Sequence, residues 1–404
     1  MSSLPAGRSD LMAAARISAA ERRRRLAVRH ALAPDARLTE VADVADAVVA
    51  LHATDPTTTF LSPLVRMRAG TVADLQRALY VERSVLRMMA MRRTLWVAGR
   101  ATVAVVQPAA SAEVAARERR RLIKVVAELG VAVDPAAWLA DVADSTVRAI
   151  AARGEAFATQ LGEDEPRLRT SRVVSPGKRY EATVSLTSNV LMMLGAEGRI
   201  VRGAVRGSVL SAQYTWTTTE SWLGAALPVL PASDARRELA RRWLTAFGPA
   251  TAHDLQWWTG WTKTQTRAAI AALDVVDVEL DGAPGLVLAD DLDPTPEPDP
   301  WAALLPSLDP TPMGWKDRDW FLGAHRDRLF DAFGNIGPTV WWRGGIVGGW
   351  ARRPDGSVLI RVLEDVGGDA LSLIERERAR VEELLPAPVR VPRFPTPLER
   401  ELRG

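Results

Sequence analysis

The sequence predicts a mixed α+β fold that is mainly helical, with tandem winged-helix units followed by a C-terminal β-rich domain. Groups of apolar residues at helical spacing recur along the chain, and each group ends in a short β-forming run. That order is typical of a helix-turn-helix followed by a wing. After a proline-rich acidic linker at 290–300, β-forming runs separated by Gly-Gly and Asp-Gly turns dominate.

The composition is that of a globular protein with several domains. The 404 residues are too many for one ordinary core, so two to four domains are expected. The absence of cysteine excludes disulfides and thiolate metal sites. No apolar run reaches the roughly 20 residues of a membrane span, and Arg16 interrupts the only N-terminal run that could serve as a signal peptide. We therefore expect a cytoplasmic protein with no membrane contact.

The positive charge is carried almost entirely by arginine. The net charge is only +3, but arginines cluster at 22–25, at 117–121 and around 199–206. Planar guanidinium groups bind phosphate in a bidentate manner, although such runs are more often solvated helix faces. The charge pattern permits nucleic-acid binding without establishing it.

The first unit is predicted at 1–132 and includes a long connecting helix. Apolar spacing predicts helices over Arg16–Ala33 and from Thr39 to about His52, and Thr71 caps a third helix. The β-forming run at 94–97 is the wing strand.

The second unit is predicted at 133–225. Asp134 followed by proline marks a helix start, 162–180 has loop composition, and a helix at 185–196 precedes a hairpin of 200–201 with 209–214. The hairpin carries side chains suited to phosphate and groove contact. The predicted DNA-binding residues here are Arg199, Arg202, Arg206, Gln213 and Tyr214.

The third unit, at 232–291, has the clearest local pattern. Ser233, Thr251 and Thr262 are candidate caps of three helices, Gly260 makes the turn, and two β-forming runs form an acidic wing. Phosphate would repel this wing, which is therefore expected to point away from DNA. The C-terminal domain, at 300–404, contains short antiparallel strands and a closing helix.

The stretch "LHATDP" at 51–56 is the candidate catalytic centre. An imidazole, a hydroxyl and a carboxylate (His52, Thr54 and Asp55) follow one another where a helix is expected to end. A neutral imidazole can accept a proton from water, and a hydroxyl can orient the same water. The alternative is an ordinary buried helix-end histidine, with Thr54 or Asp55 capping the next turn.

Several segments resemble, in order, the AlkZ-like family of DNA glycosylases. They begin with "VVALHATDPTTTFLSPLVRMRAGTVADLQRALYVERSVLRMMAMRRTLWVAGR" and continue with "WLTAFGPATAHDLQWWTGWTKTQTRAAIAAL", "LLPSLDPTPMGWKDRD" and "TVWWRGGIVGGWARR". The resemblance implies a fold of three tandem winged helices and a C-terminal β-rich domain arranged around DNA. Characterised family members remove bulky alkylated purines and unhook interstrand crosslinks, and a Gln-x-Gln or Gln-x-Asp pair holds the attacking water. This chain has His52-Ala53-Thr54 at that place.

The resemblance therefore implies a monomeric, nucleoid-associated glycosylase that acts on double-stranded, damaged DNA. His52 would be the base, Thr54 would orient water, and Asp55 would hold the imidazole or face the developing positive charge. Arg92 and Arg93 match a family segment and are predicted to contact phosphate. No metal or other cofactor is expected. The alternatives are a non-catalytic winged-helix DNA-binding protein, acting as lesion sensor or regulator, and a pocket that sequesters a small molecule.

Overall fold

A computed structural model describes residues 15–174, 182–207, 211, 213–384 and 395–404. The predicted α+β class, mainly helical, is confirmed, because helices enclose five small sheets in the described part of the chain. The number of winged-helix units and the domain boundaries stay predictions.

The first segment differs from its prediction around the candidate catalytic centre. Helix α2 stops at Ala47, Val49 takes a left-handed conformation with φ of 64°, and the chain enters strand β2. The prediction that His52 ends a helix is therefore wrong: His52 lies in a strand that pairs with β4. The segment consists of β1 (Ala15–Arg16), α1 (Ala19–Arg29), α2 (Val41–Ala47), β2 (Leu51–His52), α3 (Pro56–Leu64), α4 (Val72–Gln76), β3 (Val85–Ala90), β4 (Thr94–Gly99), α5 (Arg100–Val106) and α6 (Ala112–Leu129).

The second segment begins where its helix-start pattern indicates. Asp134 accepts hydrogen bonds from two backbone amides of the first turn and so caps its helix. The region expected to be loop contains helical and strand residues up to 174, and 175–181 lie outside the described residues, as do 208–210 and 212 of the predicted hairpin strand. The segment consists of α7 (Pro135–Arg153), α8 (Ala158–Asp164), β5 (Ser171–Val174), β6 (Ala182–Ser185), α9 (Thr187–Ala196), β7 (Ile200–Val205), β8 (Tyr214–Thr218) and α10 (Thr219–Leu223).

The third segment contains three helices followed by a hairpin. Thr251 and Thr262 each form a capping box at the start of a helix, whereas Ser233 lies inside the first helix rather than capping it. Strand β1 adds to the acidic hairpin, and Arg16 forms ion pairs with its carboxylates. The segment consists of α11 (Ala232–Phe247), α12 (Ala252–Thr259), α13 (Lys263–Ala271), β9 (Val275–Leu280) and β10 (Ala283–Leu288).

The C-terminal segment is built on a four-stranded antiparallel sheet. The strands follow one another in chain order, and the predicted closing helix packs against the first of them. The segment consists of β11 (Ala302–Leu305), α14 (Asp319–Leu322), α15 (Arg326–Leu329), β12 (Thr339–Trp342), β13 (Gly345–Arg352), β14 (Val358–Val362), α16 (Gly368–Leu384) and α17 (Pro397–Arg403).

One apolar core joins the first, third and C-terminal segments. It includes Trp96 of β4, Trp243 of α11 and Trp341 of β12, whereas most of the second segment has a core of its own. The sheet that carries His52 is therefore held from several sides, and the second segment packs beside it.

Candidate functional site

The sheet β2–β4–β3 places His52 on its inner face. His52 pairs with Trp96 and Trp96 pairs with Met88, so these three side chains share one face. The His52 and Trp96 ring centroids are 5.1 Å apart with an edge contact. Arg87 precedes Met88 in β3 and Leu95 precedes Trp96 in β4, so both side chains point to the opposite face.

His52 is a buried, neutral imidazole with an unused nitrogen. Its residue is only 3% exposed, and Nδ1 has no hydrogen-bond partner among the described residues. Burial lowers the pKa of His52 to about 4, and the nearby positive charge of Arg92 contributes to the shift. At neutral pH the ring is uncharged and can accept a hydrogen bond. A buried polar atom without a partner is a normal place for a bound water or substrate.

Thr54 and Asp55 have different surroundings from His52. Thr54 is exposed, and its Oγ1 accepts a hydrogen bond of 3.4 Å from the Leu95 amide. Asp55 caps α3, because its carboxylate accepts hydrogen bonds of 2.9 and 3.2 Å from the Thr58 amide and hydroxyl. This is the capping role that the sequence left open for Asp55, and no hydrogen bond joins its carboxylate to His52.

Arg92 and Arg93 form the turn between β3 and β4. Both have left-handed backbones, with φ of 53° and 63°, which costs non-glycine residues on the order of 1–3 kcal/mol each. The turn sends the two side chains to different partners. The Arg92 guanidinium lies 4.1 Å over the ring of Trp257, and Arg93 forms a 2.6 Å ion pair with Glu118. Arg92 therefore stays available to an anion, and Arg93 is neutralised.

A cleft lies between the β3–β4 hairpin, α9 and the β7–β8 hairpin. Its volume is about 600 Å³. The Arg202 guanidinium lies 4.0 Å over the Tyr214 ring, and that of Arg206 lies 4.8 Å over Phe157. Four of the five residues predicted for the hairpin border this cleft, namely Arg202, Arg206, Gln213 and Tyr214. Arg199 does not border the cleft, and it pairs with Asp144 of α7 at 2.7 Å.

The cleft is positively charged. Arg87 also borders it, and the Nε atoms of Arg87 and Arg202 are both buried without a hydrogen-bond partner. No carboxylate is among the described residues that line the cleft. Burial lowers the pKa of Arg202, and the positive charge of Arg87 adds to the shift. The sequence does not predict Arg87 as a site residue, because the helical spacing of apolar residues after Thr71 extends to Val85, whereas Val85 begins β3. Alternation along a strand would have placed Arg87 beside Met89.

Most of the sheet residues that line the cleft, namely Arg87, Met89 and Leu95, lie on the face opposite to His52. Leu95 connects the cleft to the His52 centre, since its side chain borders the cleft and its amide donates to Thr54. Among the described residues, no group of three or more histidine and acidic residues could hold a metal ion. In the same part of the chain, no helix is long and apolar enough to cross a membrane.

The family model described as "DNA glycosylase AlkZ-like" matches residues 45–384. The chain belongs to the AlkZ-like DNA glycosylase family. The matched range contains every residue predicted for the site and confirms the resemblance seen in the sequence. The fold of this AlkZ-like protein is similar to that of Streptomyces sahachiroi DNA glycosylase AlkZ. The TM-score is 0.71 and the sequence identity 20%, over 93% of this chain and all of the other. No curated protein sequence matches the chain significantly.

Proposed function

We propose that this AlkZ-like protein is a monofunctional DNA glycosylase that hydrolyses the N-glycosidic bond of bulky alkylated purines, with crosslinked purines as further substrates. The observation that carries the proposal is the neutral, buried imidazole of His52 with an unused Nδ1, at the place of the family's water-binding pair. Family membership supplies the reaction class, and His52 supplies a group able to perform it.

The chemistry requires little beyond a positioned water. A purine alkylated at N3 or N7 is cationic, so the bond from C1′ to the base breaks with its electron pair moving onto the purine. Water then forms a bond to C1′ of the oxocarbenium-like sugar and releases a proton. His52 Nδ1 accepts that proton, and the Thr54 hydroxyl orients the water. The products are a free alkylated base and an abasic site.

The DNA is proposed to be double-stranded and held by winged helices. Three hairpins, β3–β4, β7–β8 and β9–β10, each follow helices in the order expected of such units. The first two border a cleft rich in arginine. The third carries Asp277, Glu279 and Asp281, of which the last two pair with Arg16. Its acidic character supports a position away from phosphate. The chain is proposed to act as a monomer.

A non-catalytic DNA-binding role is the second candidate. Two observations favour it: Asp55 is used as a helix cap, and His52 is enclosed against Trp96. A lesion sensor would need the same cleft and cations, but no hydrolysis.

Base release from defined duplexes separates the two candidates. We expect free base from duplexes that carry one N3-alkyladenine or N7-alkylguanine, and none from the unmodified duplex, because the uncharged purine is a poor leaving group. The abasic product is measured by strand cleavage in alkali, and binding to each duplex is measured in parallel. Tight binding without base release from any of these adducts would support the sensor.

A further inference from the structure

Three segments that are remote in sequence meet beside His52 and bring arginines onto two aromatic rings. The Arg318 guanidinium lies 4.9 Å over Trp257, the ring already covered by Arg92, and 5.4 Å over Phe330. Arg326 lies 5.0 Å over Phe330. We call these five residues the arginine–aromatic cluster. It joins the β3–β4 turn, α12 and the segment after β11.

The three arginines of the cluster have almost no protein partners. The guanidinium groups of Arg92 and Arg326 form no hydrogen bond or ion pair with any described residue, and that of Arg318 donates only from Nε to the Trp315 carbonyl, at 3.0 Å. Nε of Arg92 and Nη1 of Arg318 are buried and unpartnered. Arg318 is only 5% exposed, so water does not compensate for the missing contacts.

The carboxylate that acts electrostatically on Arg318 does not neutralise the cluster. Asp254 is the carboxylate whose charge acts on Arg318, but its oxygens accept hydrogen bonds from Thr251 and from the Lys316 and Asp317 amides. Burial lowers the pKa of Arg318 to about 10, and the positive charges of Arg326 and Arg92 contribute. Arg318 is still charged at neutral pH. The cluster therefore holds neighbouring cations against their repulsion, which a bound anion would relieve.

The backbone conformation at Arg92 also holds its guanidinium over Trp257. Arg92 occupies a left-handed position that asparagine or glycine would take without strain, so its conformation is imposed by the surrounding structure. Gly260, which ends α12 with φ of 76°, lets the turn approach closely: a Cβ at Gly260 would lie 3.3 Å from Arg92 Cγ. The contact between turn and helix thus fixes the guanidinium over Trp257.

We propose that the arginine–aromatic cluster binds one phosphate of the DNA backbone beside the nucleotide that occupies the His52 centre. Guanidinium forks match phosphodiester oxygens, and the rings of Trp257 and Phe330 hold the guanidinium planes in place. Two guanidinium groups already lie over Trp257, which favours an anion at this site rather than a stacked base. The identification of the anion as DNA rests on the proposed function.

The salt dependence of DNA binding tests the cluster. The Arg318→Gln, Arg326→Gln double variant loses one phosphate contact, so the slope of log affinity against log salt should fall by about 0.9. At 0.15 M salt the affinity should drop about fivefold. The matched control is Arg148→Gln, Arg353→Gln, which makes the same charge change at exposed positions on α7 and in the β13–β14 turn. This control variant should change DNA affinity and the salt slope less than the double variant does.

Uncharged linkages in the DNA backbone show which phosphate the cluster binds. Methylphosphonates are placed one at a time along the duplex, and the cluster predicts one position where wild-type protein loses affinity and the double variant does not. If the double variant is less stable than wild-type protein, the single variant Arg326→Gln, at an exposed position, is used in its place. We expect a smaller loss of DNA affinity in the same direction.

Unchanged DNA affinity and slope in a folded double variant would contradict the proposal that the cluster binds a phosphate. A loss of affinity equal to that of the control variant would contradict it as well. Binding and base release are separate readouts. Base release with unchanged slope refutes the cluster alone, whereas a reduced slope without base release from wild-type protein refutes the glycosylase alone.

Discussion

Asp309→Asn is expected to lower the free energy of unfolding by about 3–5 kcal/mol, because it breaks a fully buried ion pair while leaving one charge inside. Arg66 and Asp309 are both 0% exposed, and Arg66 Nη2 lies 2.6 Å from Asp309 Oδ1. Arg66 also donates to Thr311, whose hydroxyl lies 2.9 Å from Nδ1 of the buried His30. The network connects α3, which follows the His52 centre, to α1 and to the segment after β11.

Urea unfolding measures this effect. The control is Asp317→Asn, which makes the same chemical change at an exposed carboxylate and should alter stability by less than about 1 kcal/mol. A loss below about 1 kcal/mol for Asp309→Asn would mean that Arg66 finds another partner or water in the variant. The network would then contribute little to holding α3.

His52→Ala is expected to lower the single-turnover rate of base release by about 10²- to 10⁴-fold, the usual contribution of a positioned general base. The folded-state pKa of about 4 lies below the ordinary value, so His52 stays neutral as the pH falls from 8 to about 5. Wild-type excision should be constant over that range and decrease only near pH 4, where the ring gains a proton. Rates are measured with protein in excess over a duplex with one adduct.

Two further variants separate catalysis from packing. Because His52 is buried against Trp96, His52→Ala also removes core contacts and lowers stability by about 2–4 kcal/mol. His52→Gln keeps a hydrogen-bonding side chain of similar size and should retain more activity. Thr54→Val keeps the shape and should cost less than His52→Ala. If all three variants are folded, bind DNA and release base at the wild-type rate, His52 has no part in the mechanism.

Local patterns in the sequence predicted most of the third segment correctly. Thr251, Gly260 and Thr262 act within a few residues of themselves, as caps and as a left-handed turn, so the helices that they delimit can be identified without knowing the fold. The order of similar segments along the chain was enough to identify the family, which the match over 45–384 confirms.

The site depended on contacts that are remote in sequence. His52 belongs to a two-residue strand that forms because β4 lies beside it. The apolar residues before this strand have helical spacing, but the helix ends at Ala47. Arg87 was missed for the same reason. Arg318 and Arg326 carry no local pattern at all, and their role emerges only where the turn at Arg92 meets α12.

The most direct test of the glycosylase assignment is release of free base from a duplex with a single bulky N7-alkylguanine, measured at neutral pH with wild-type protein in excess. We expect first-order release of the alkylated base and an equal amount of abasic site, at a rate well above spontaneous depurination of the same duplex. Protein that binds this duplex with salt-sensitive affinity, yet leaves the base attached at the spontaneous rate, would contradict it.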